Sequence, residues 1–176
     1  PGEEEISILN PISSDLNVLR RSIFSNLAIH LKKNQDRGYQ DLSLFEIGPT
    51  FFGKNPGEQQ IVIGALKSGK VSRKSWIEKE REVDVFDIKA DVVKTLIELG
   101  ISENDIHVSD NTKQCYHPGR SGSITFKSEK GPKLANFGEI HPGIIKKLDF
   151  KEPNIYGLEI FLGNLPEPNK KVRQTK

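Results

Sequence analysis

The segment from Gly64 to Val71, GALKSGKV, nearly matches the phosphate-binding loop G-x-x-x-x-G-K-[ST] and follows an apolar run typical of a strand. In that loop, backbone N–H groups cradle the phosphates, the lysine contacts them, and the last hydroxyl ligates Mg²⁺. Here the last position is Val71, and the residues that follow, 72–82, lack the apolar face of a helix. We therefore favour a glycine-containing loop on a hairpin, and a nucleotide-binding module stays as an alternative.

A second group of candidate ligands consists of Cys115, His117, His107 and His141. A structural zinc site normally has paired ligands at both ends of its motif, whereas this chain has one cysteine, and His117 and His141 each precede a proline in a predicted turn. Cys115 and His117 are also too close in sequence for a typical nucleophile–base pair, and Glu139-Ile140-His141 lacks the helical spacing of a zinc-protease motif. The sequence therefore predicts no metal ligand and no catalytic residue in this group.

A third group is basic and suits RNA phosphates: Arg20, Arg21, Lys32, Lys33 and Arg37. The whole chain has 26 basic and 24 acidic residues, a net charge of +2, so its charge balance does not by itself indicate nucleic-acid binding. A solvated helix face is the simpler interpretation. A stand-alone RNA-binding module stays as an alternative.

The elements that must position these residues indicate an α+β fold with a mainly antiparallel sheet flanked by helices. Apolar residues at helical spacing predict helices over Leu16–Leu31, with N-cap candidates at Ser13, Ser14 and Asp15, over Phe86–Leu99 with Gly100 as C-cap, and over Pro142–Leu148. Gly48-Pro49 predicts an edge position for its strand, and residues 67–82 a loop with a helical turn around Trp76. Strands are predicted over Ile6–Leu9, Leu42–Phe52, Gln59–Leu66, Asp105–Ser109, Gly122–Lys127, Lys133–Glu139 and Asn154–Leu162.

Length and composition fit one domain of an intracellular protein. The 176 residues are 35% hydrophobic, with no apolar run long enough to span a bilayer and no signal peptide. The single Cys115 fits a reducing compartment, so a cytoplasmic location is expected. The chain starts at Pro1, contains no Met and ends in a polar basic tail, from which we expect a domain over 1–168 excised from a longer chain, with 169–176 as a linker.

Six blocks, taken in order, resemble the core module of the beta subunit of bacterial phenylalanine–tRNA ligase, and the match covers nearly the whole chain. They are Asn10-Pro11-Ile12-Ser13 with Asp15 and Leu19-Arg20; Arg37-Gly38; Leu44-Phe45-Glu46-Ile47-Gly48 with Phe51; Val83-Asp84 with Phe86-Asp87 and Lys89; Tyr116-His117-Pro118-Gly119-Arg120; and Gly138-Glu139-Ile140-His141-Pro142. Residues 156–165 look like the closing strand. We call these blocks the family motifs.

The resemblance implies a fold similar to the class II aminoacyl-tRNA synthetase core. The parent enzyme of this family is an α₂β₂ heterotetramer that joins phenylalanine to its tRNA through an ATP-derived adenylate. Its catalytic site lies in the alpha subunit, and the beta core is a degenerate copy that serves structure and assembly. Magnesium ligands and the editing site belong to other modules of the beta subunit, and an anticodon-stem-binding domain would follow the linker. The expected partners are therefore the alpha subunit and, for the parent enzyme, tRNA.

The residues agree with a degenerate copy. Class II chemistry needs one arginine on the ATP α-phosphate and another on the γ-phosphate, because charge develops on the leaving pyrophosphate. At the comparable hairpin this chain has Phe51-Phe52-Gly53-Lys54, and at the comparable end of the last strand it has Leu162-Gly163-Asn164-Leu165-Pro166. Neither contains an arginine. We therefore predict no catalytic, cofactor-binding or metal-binding residue in this chain, with ATP and Mg²⁺ used by the parent enzyme.

Overall fold

The computed structural model describes residues 20–53, 55, 57–71, 80–110 and 114–167. Within these residues, six strands form one sheet in the order β1-β2-β6-β5-β4-β3, and every neighbouring pair is antiparallel. The α+β prediction with an antiparallel sheet is confirmed. The elements are α1 Phe24–Asp36, β1 Leu42–Phe51, β2 Gln59–Ser68, α2 Val85–Glu98, β3 Ile106–Ser109, β4 Tyr116–Phe126, β5 Lys133–Ile140, α3 Pro142–Lys147 and β6 Ile155–Phe161.

The first helix is shorter than the sequence predicted. It begins at Phe24, and residues 20–23 are not helical, because the Arg20 carbonyl accepts a hydrogen bond from the Phe51 N–H (3.0 Å) and so holds this segment against β1. Ile23 lies outside the helix but still fits the predicted apolar spacing, because it packs on the same sheet face as Leu27 and Leu31. The predicted strand Ile6–Leu9, the cap candidates Ser13 to Asp15, and Leu16 to Leu19 lie outside the described residues.

The hairpin β1–β2 matches its prediction, with β1 at the edge of the sheet as Gly48-Pro49 indicated. β2 extends two residues further than predicted, to Ser68, because Lys67 pairs with Ser43 and Ser68 pairs with Leu42 on β1. Trp76 and the helical turn predicted around it lie outside the described residues. Among the residues that the structure does describe, no helix is long and apolar enough to cross a membrane.

Two helices cover opposite faces of the sheet, each with its own core. On one face, Leu27 and Leu31 of α1, together with Ile23 directly before the helix, pack against Val62, Leu66, Ile155 and Phe161. On the other, α2 packs Ile88, Val92 and Leu96 against Ile124, Phe137, Leu158 and Ile160. Leu99 was predicted on the apolar face of α2 but is 42% exposed, since the helix ends at Glu98 and the chain turns at Gly100 with a φ of 93°. All seven residues of β6 are buried, because it lies between both helices.

β4 begins six residues before the predicted start, at Tyr116. His117, Pro118 and Gly119 therefore lie in an irregular part of a strand rather than in a turn between elements, and the register shifts between Tyr116 and Ser121. Because proline has no N–H to donate to the ladder, a bulge is where a strand accommodates it. The opposing Gly138 has a φ of +152°, and a Cβ there would overlap Ser121. The short helix α3 appears where it was predicted.

Candidate functional site

The two strand ends at which the sequence analysis expected the arginines of a working class II enzyme lie at the same end of the sheet. Phe51 is opposite Gln59 at the hairpin end, and Phe161, directly before Leu162, is opposite Val62. β2 and β6 are hydrogen-bonded neighbours, so the structure brings the two strand ends together.

The described side chains at these strand ends make local contacts. Glu58 accepts from the backbone N–H of Asn55 (2.8 Å) and from its side chain (3.1 Å), and Asn164 donates to the Lys133 carbonyl (2.8 Å). Phe52 is exposed, and Lys54 lies outside the described residues. The arrangement supplies turn-closing hydrogen bonds where an ATP site would need guanidinium groups.

Arg20 and Glu46, from two separate family motifs, form an ion pair. The Arg20 Nε also donates to the Pro49 carbonyl (2.8 Å), so the guanidinium lies across β1. A Cβ at position 48 would overlap this guanidinium, which gives Gly48 of the same motif a packing role. These motif residues therefore fix the segment before α1 onto the edge strand.

Arg120 and Glu139 join two further motifs. The guanidinium donates to both carboxylate oxygens, through Nε to Oε2 and through Nη2 to Oε1 (2.7 Å). Glu139 is almost fully buried, whereas half of the Arg120 side chain is exposed. This hydrogen bond raises the pKa of Arg120. Burial, followed by the charge of Glu139, raises the pKa of the neighbouring Tyr156. The pair ties β4 to β5 beside the bulge, with both carboxylate oxygens accepting from the same guanidinium.

Asp84 and Asp87 of a fourth motif form a capping box at the start of α2. The Asp84 carboxylate accepts from the N–H groups of Phe86 (2.8 Å) and Asp87 (3.0 Å), and the Asp87 carboxylate accepts from the Asp84 N–H (2.9 Å). Arg81 donates two hydrogen bonds of 2.6 Å to Asp87. These bonds are the largest cause that lowers the pKa of Asp87 from 3.8 to about 2, against the opposing effect of burial. This motif therefore starts a helix.

Most of the segment that nearly matches a phosphate-binding loop belongs to a β-strand. Gly64 to Ser68 belong to β2, so their backbone groups take part in the sheet ladder and are not arranged around a ligand. Gly64 faces α1, and a Cβ there would overlap Ile23. Lys67 pairs with Asp91, and Lys70 pairs with Glu80. The interpretation as part of a hairpin is supported, and the strand reaches further into the segment than predicted.

Two histidines of the second group, His117 and His141, accept a hydrogen bond from a backbone N–H two residues further along the chain. The Nδ1 of His117 accepts from the Gly119 N–H (3.0 Å), and the Nδ1 of His141 accepts from the Gly143 N–H (3.1 Å), where His141 caps α3. Within the described residues, no three His, Cys, Asp or Glu side chains come together as metal ligands would. Cys115 lines a cavity of about 220 Å³ between α1 and α3. The His141 N–H donates to the Cys115 carbonyl (2.9 Å), so these two residues are neighbours across the sheet, and His107 lies on β3 opposite Thr125.

The basic residues of the third group do not form one strip. Arg20 is held by Glu46 at the start of α1, whereas Lys32, Lys33 and Arg37 lie at its other end. A cleft of about 700 Å³ opens between α2 and the outer ends of β1 and β2, and its lysines include the paired Lys67 and Lys70.

A buried polar row that sequence reasoning missed crosses the sheet on the α1 side. Ser123 is opposite Asn136, and Asn136 is opposite Glu159, with all three buried. The Ser123 hydroxyl contacts that of Ser109 (2.9 Å). Burial raises the pKa of the nearby Tyr116 hydroxyl, with smaller contributions from the charges of Glu159 and Cys115. A single polar residue inside an apolar strand, as in LANFG and GLEIF, was the signal that could have found this row.

The fold and these motifs agree with comparisons to known proteins. The pyrrolysyl-tRNA synthetase of Desulfitobacterium hafniense has a similar structure, with a TM-score of 0.58 and 14% identity over 87% of this chain and 50% of that one, which confirms a fold of the class II synthetase type. The beta subunits of phenylalanine–tRNA ligase from Paramagnetospirillum magneticum and Rhodospirillum rubrum are 40% and 41% identical over 175 residues, 99% of this chain. The chain spans 21% of the length of each of these curated relatives. The family model of the phenylalanyl tRNA synthetase beta chain CLM domain matches residues 1–162, and the chain therefore belongs to the phenylalanine–tRNA ligase beta-subunit family.

Proposed function

We propose that this chain is the non-catalytic assembly core of a phenylalanine–tRNA ligase beta subunit. In this proposal it packs against the alpha subunit within an α₂β₂ enzyme of the cytoplasm. The alpha subunit, with ATP and Mg²⁺, attaches phenylalanine to its tRNA. Residues 1–168 form the core domain and 169–176 lead to the next module. The chain itself contributes no catalytic residue and binds no cofactor.

The observation that carries the proposal is the bare outer face of the hairpin β1–β2. Phe45, Ile47 and Ile61 lie on the side of the sheet that α2 covers elsewhere, and they are 74%, 57% and 42% exposed. The register places Phe45 opposite Ala65, Ile47 opposite Ile63 and Pro49 opposite Ile61, so the apolar side chains form one continuous patch. A contiguous exposed apolar patch on a soluble protein marks an interaction surface. We call Phe45, Ile47, Pro49 and Ile61 the hairpin face.

The polar family motifs support the non-catalytic part of the proposal. Glu46, Glu139 and Asp87 each accept hydrogen bonds from an arginine of this chain, and each interaction fixes a segment of backbone. A catalytic carboxylate or arginine must instead direct its hydrogen bonds at a substrate. The charges of these motifs are thus used in building the domain.

The assembly role is tested by changing the hairpin face in a full-length beta subunit that carries this domain. Phe45→Thr with Ile47→Thr removes apolar surface and keeps the strand propensity of β1. We expect co-purification with the alpha subunit to fall at least about 30-fold, as expected for losing residues worth about 2 kcal/mol at an interface. The matched control is Phe86→Thr with Val108→Thr, an aromatic and an aliphatic residue exposed elsewhere (72% and 40%). Equal recovery of the alpha subunit by both variants would overturn the assignment of this face.

The non-catalytic role has its own test. The chain alone, incubated with phenylalanine, ATP and Mg²⁺, is expected to give ATP–pyrophosphate exchange no faster than a blank without protein. The assembled enzyme is the positive control. Exchange by the chain alone would refute the degenerate-core interpretation.

A further inference from the structure

The strand β1 forms one edge of the sheet, and its backbone groups alternate in direction. The Phe52 N–H donates to the Glu58 carbonyl (3.0 Å), towards β2, whereas the Phe51 N–H donates to the Arg20 carbonyl (3.0 Å), away from β2. Hydrogen-bonded and non-hydrogen-bonded pairs alternate along an antiparallel ladder, and the register between β1 and β2 has no shift. Every second residue back from Phe51 therefore points its backbone groups away from β2. These residues are Pro49, Ile47, Phe45 and Ser43.

The chain itself occupies one part of this edge and leaves the other part open. Arg20 covers the end of β1, since its carbonyl accepts from the strand and its Nε donates to the Pro49 carbonyl (2.8 Å). Pro49 has no N–H, and a strand accommodates proline where the nitrogen faces away from the ladder. Before it, Ser43, Phe45 and Ile47 make no backbone hydrogen bond on this side with any residue that the structure describes. We call the outward-facing N–H and C=O groups of these three residues the open edge.

The open edge lacks the features that usually protect the edge of a sheet, which are short strands, lysines, prolines and bulges. The opposite edge strand, β3, is protected in this way because it has only four residues. In contrast, β1 has ten residues, and its one charged residue, Glu46, is held by Arg20. From Ser43 to Ile47 the strand contains no lysine, proline or bulge, over a length of about 17 Å at about 3.4 Å per residue.

The side chains beside the open edge are apolar and exposed. Phe45 and Ile47 are 74% and 57% exposed and belong to the hairpin face. The same two residues therefore offer backbone donors and acceptors at the edge and apolar surface on the face. A strand that is added to a sheet edge uses both, because main-chain hydrogen bonds give affinity and alternate side chains give specificity.

We propose that an extended segment of the alpha subunit adds a strand to the open edge of β1. This inference rests on the proposed function and deepens it, because it states how the partner of the hairpin face is held. The alpha subunit is the occupant because the residues of the open edge, Phe45 and Ile47, also form the face that we assign to it. The added segment has free backbone N–H and C=O groups and places apolar side chains at alternate positions. It ends beside Pro49, where Arg20 already occupies the edge.

The test removes an outward-facing N–H group and keeps the apolar surface of the hairpin face. In a full-length beta subunit that carries this domain, Ser43→Pro removes the N–H of an exposed residue at the start of the open edge. The ladder with β2 keeps its hydrogen bonds, because this N–H points away from β2, as the nitrogen of Pro49 does. The matched control is Ser43→Thr, which keeps the N–H and suits a strand. Thermal unfolding checks that both variants are folded.

A second variant replaces the amide of Phe45 by an ester, through 3-phenyllactic acid encoded at this position. It deletes the N–H and keeps the phenyl ring on the hairpin face. We expect the affinity for the alpha subunit to fall about 5-fold, which corresponds to one net backbone hydrogen bond of about 1 kcal/mol. Ser43→Pro should lower it at least about 10-fold, because the ring also obstructs the added strand, and Ser43→Thr should leave it unchanged. Equal losses in Ser43→Pro and Ser43→Thr, or unchanged affinity in both variants that lack an N–H, would overturn the proposal.

Hydrogen exchange, read residue by residue in the free beta subunit and in its complex with the alpha subunit, gives an independent measurement. The N–H groups of Phe45 and Ile47 should exchange at least about 10-fold more slowly in the complex, because they gain partners there. Those of Leu44 and Glu46, which point towards β2, should exchange slowly in both states. Unchanged exchange at Phe45 and Ile47 would contradict strand addition. Protection that appears in the free beta subunit as its concentration rises would make a second copy the occupant and also refute the proposal.

The outcomes separate this inference from the proposed function. Suppose that Phe45→Thr with Ile47→Thr loses the alpha subunit while both variants that lack an N–H capture it fully. The hairpin face would then remain the docking surface, and strand addition would be refuted. Failure of the unmodified beta subunit to capture the alpha subunit would instead refute the proposed function.

Discussion

The two halves of the sheet have similar apolar strands but different surroundings. In β4, β5 and β6, the face that carries Phe137, Leu158 and Ile160 is covered by α2 and fully buried. In the hairpin β1–β2, the same face carries Phe45, Ile47 and Ile61, and these side chains are exposed. The helix α2 packs mainly on β5 and β6. It reaches β2 through the Lys67–Asp91 ion pair, and Ile63 and Ala65 of β2 are partly buried against its core, whereas Phe45, Ile47 and Ile61 stay exposed.

Because one half of the sheet is covered and the other is exposed, we expect the two halves to contribute differently to the stability of the domain and to its binding of a partner. A buried side chain contributes to folding by leaving water, at roughly 25 cal/mol per Å² of apolar surface. An exposed one makes that contribution only when a partner covers it. The covered half should therefore govern the unfolding free energy of the domain, and the hairpin face should govern assembly.

The largest effect is expected in the covered half. Leu96→Ala removes a fully buried side chain of α2 and leaves a cavity against the sheet. We expect the free energy of unfolding to fall by about 2–5 kcal/mol in urea titrations. The control is Leu99→Ala, at the exposed end of the same helix, which should change it by at most about 0.5 kcal/mol. Similar losses in both variants would show that α2 does not form the core described here.

A smaller effect is expected where α1 meets the hairpin. Gly64→Ala places a Cβ against Ile23, within a contact that also has Leu27 Cδ1 at 3.4 Å. Overpacking of this kind typically costs about 1–3 kcal/mol of unfolding free energy. The matched control is Gly163→Ala, where a Cβ would meet nothing within 4 Å. In a double-mutant cycle with Ile23→Ala, the Gly64→Ala cost should largely disappear, and a full cost in that background would contradict the contact.

The next effect depends on pH. The pKa of Asp87 is lowered from 3.8 to about 2 in the folded chain, so its ionised form stabilises the fold. That stabilisation is complete above about pH 4 and is lost as pH falls through about 2. Because Arg81 is half exposed and solvent screens the pair, we expect Asp87→Asn to cost only about 1 kcal/mol at pH 7.

Urea titrations of the parent chain and Asp87→Asn between pH 7 and pH 2.5 measure this dependence. The difference in unfolding free energy should be constant down to about pH 4 and then shrink. A difference that stays constant to the lowest pH would mean that the carboxylate charge of Asp87 does not stabilise α2.

The smallest effect on stability is expected at the hairpin face. Phe45→Thr with Ile47→Thr should change the unfolding free energy of the chain by no more than about 0.5 kcal/mol, because both side chains are exposed. The same substitutions are expected to remove capture of the alpha subunit. A loss of stability comparable to that of Leu96→Ala would remove the distinction between the two halves of the sheet.

Most of the secondary structure could be predicted because its causes are local. The α2 helix has apolar residues at Ile88, Val92 and Leu96, a capping box at Asp84, and Gly100 as its stop, all visible in the sequence. The prediction failed at the start of α1, because the Arg20 carbonyl bonds to Phe51, about thirty residues away. It failed again at His117 to Gly119, where pairing with β5 extends a strand through an apparent turn.

The sequence by itself determined the family, the antiparallel hairpins and the absence of arginine at the two strand ends, since each is a matter of residue type and spacing. Only the tertiary structure decided which charges are paired and which apolar residues are covered. Arg20 and Glu46 are 26 positions apart, and Arg120 and Glu139 are 19 apart, so strand register brings them together. Phe45 and Ile160 are both apolar strand residues, but one is bare and the other fully buried. The reason is that coverage depends on where α2 packs, which no local pattern specifies.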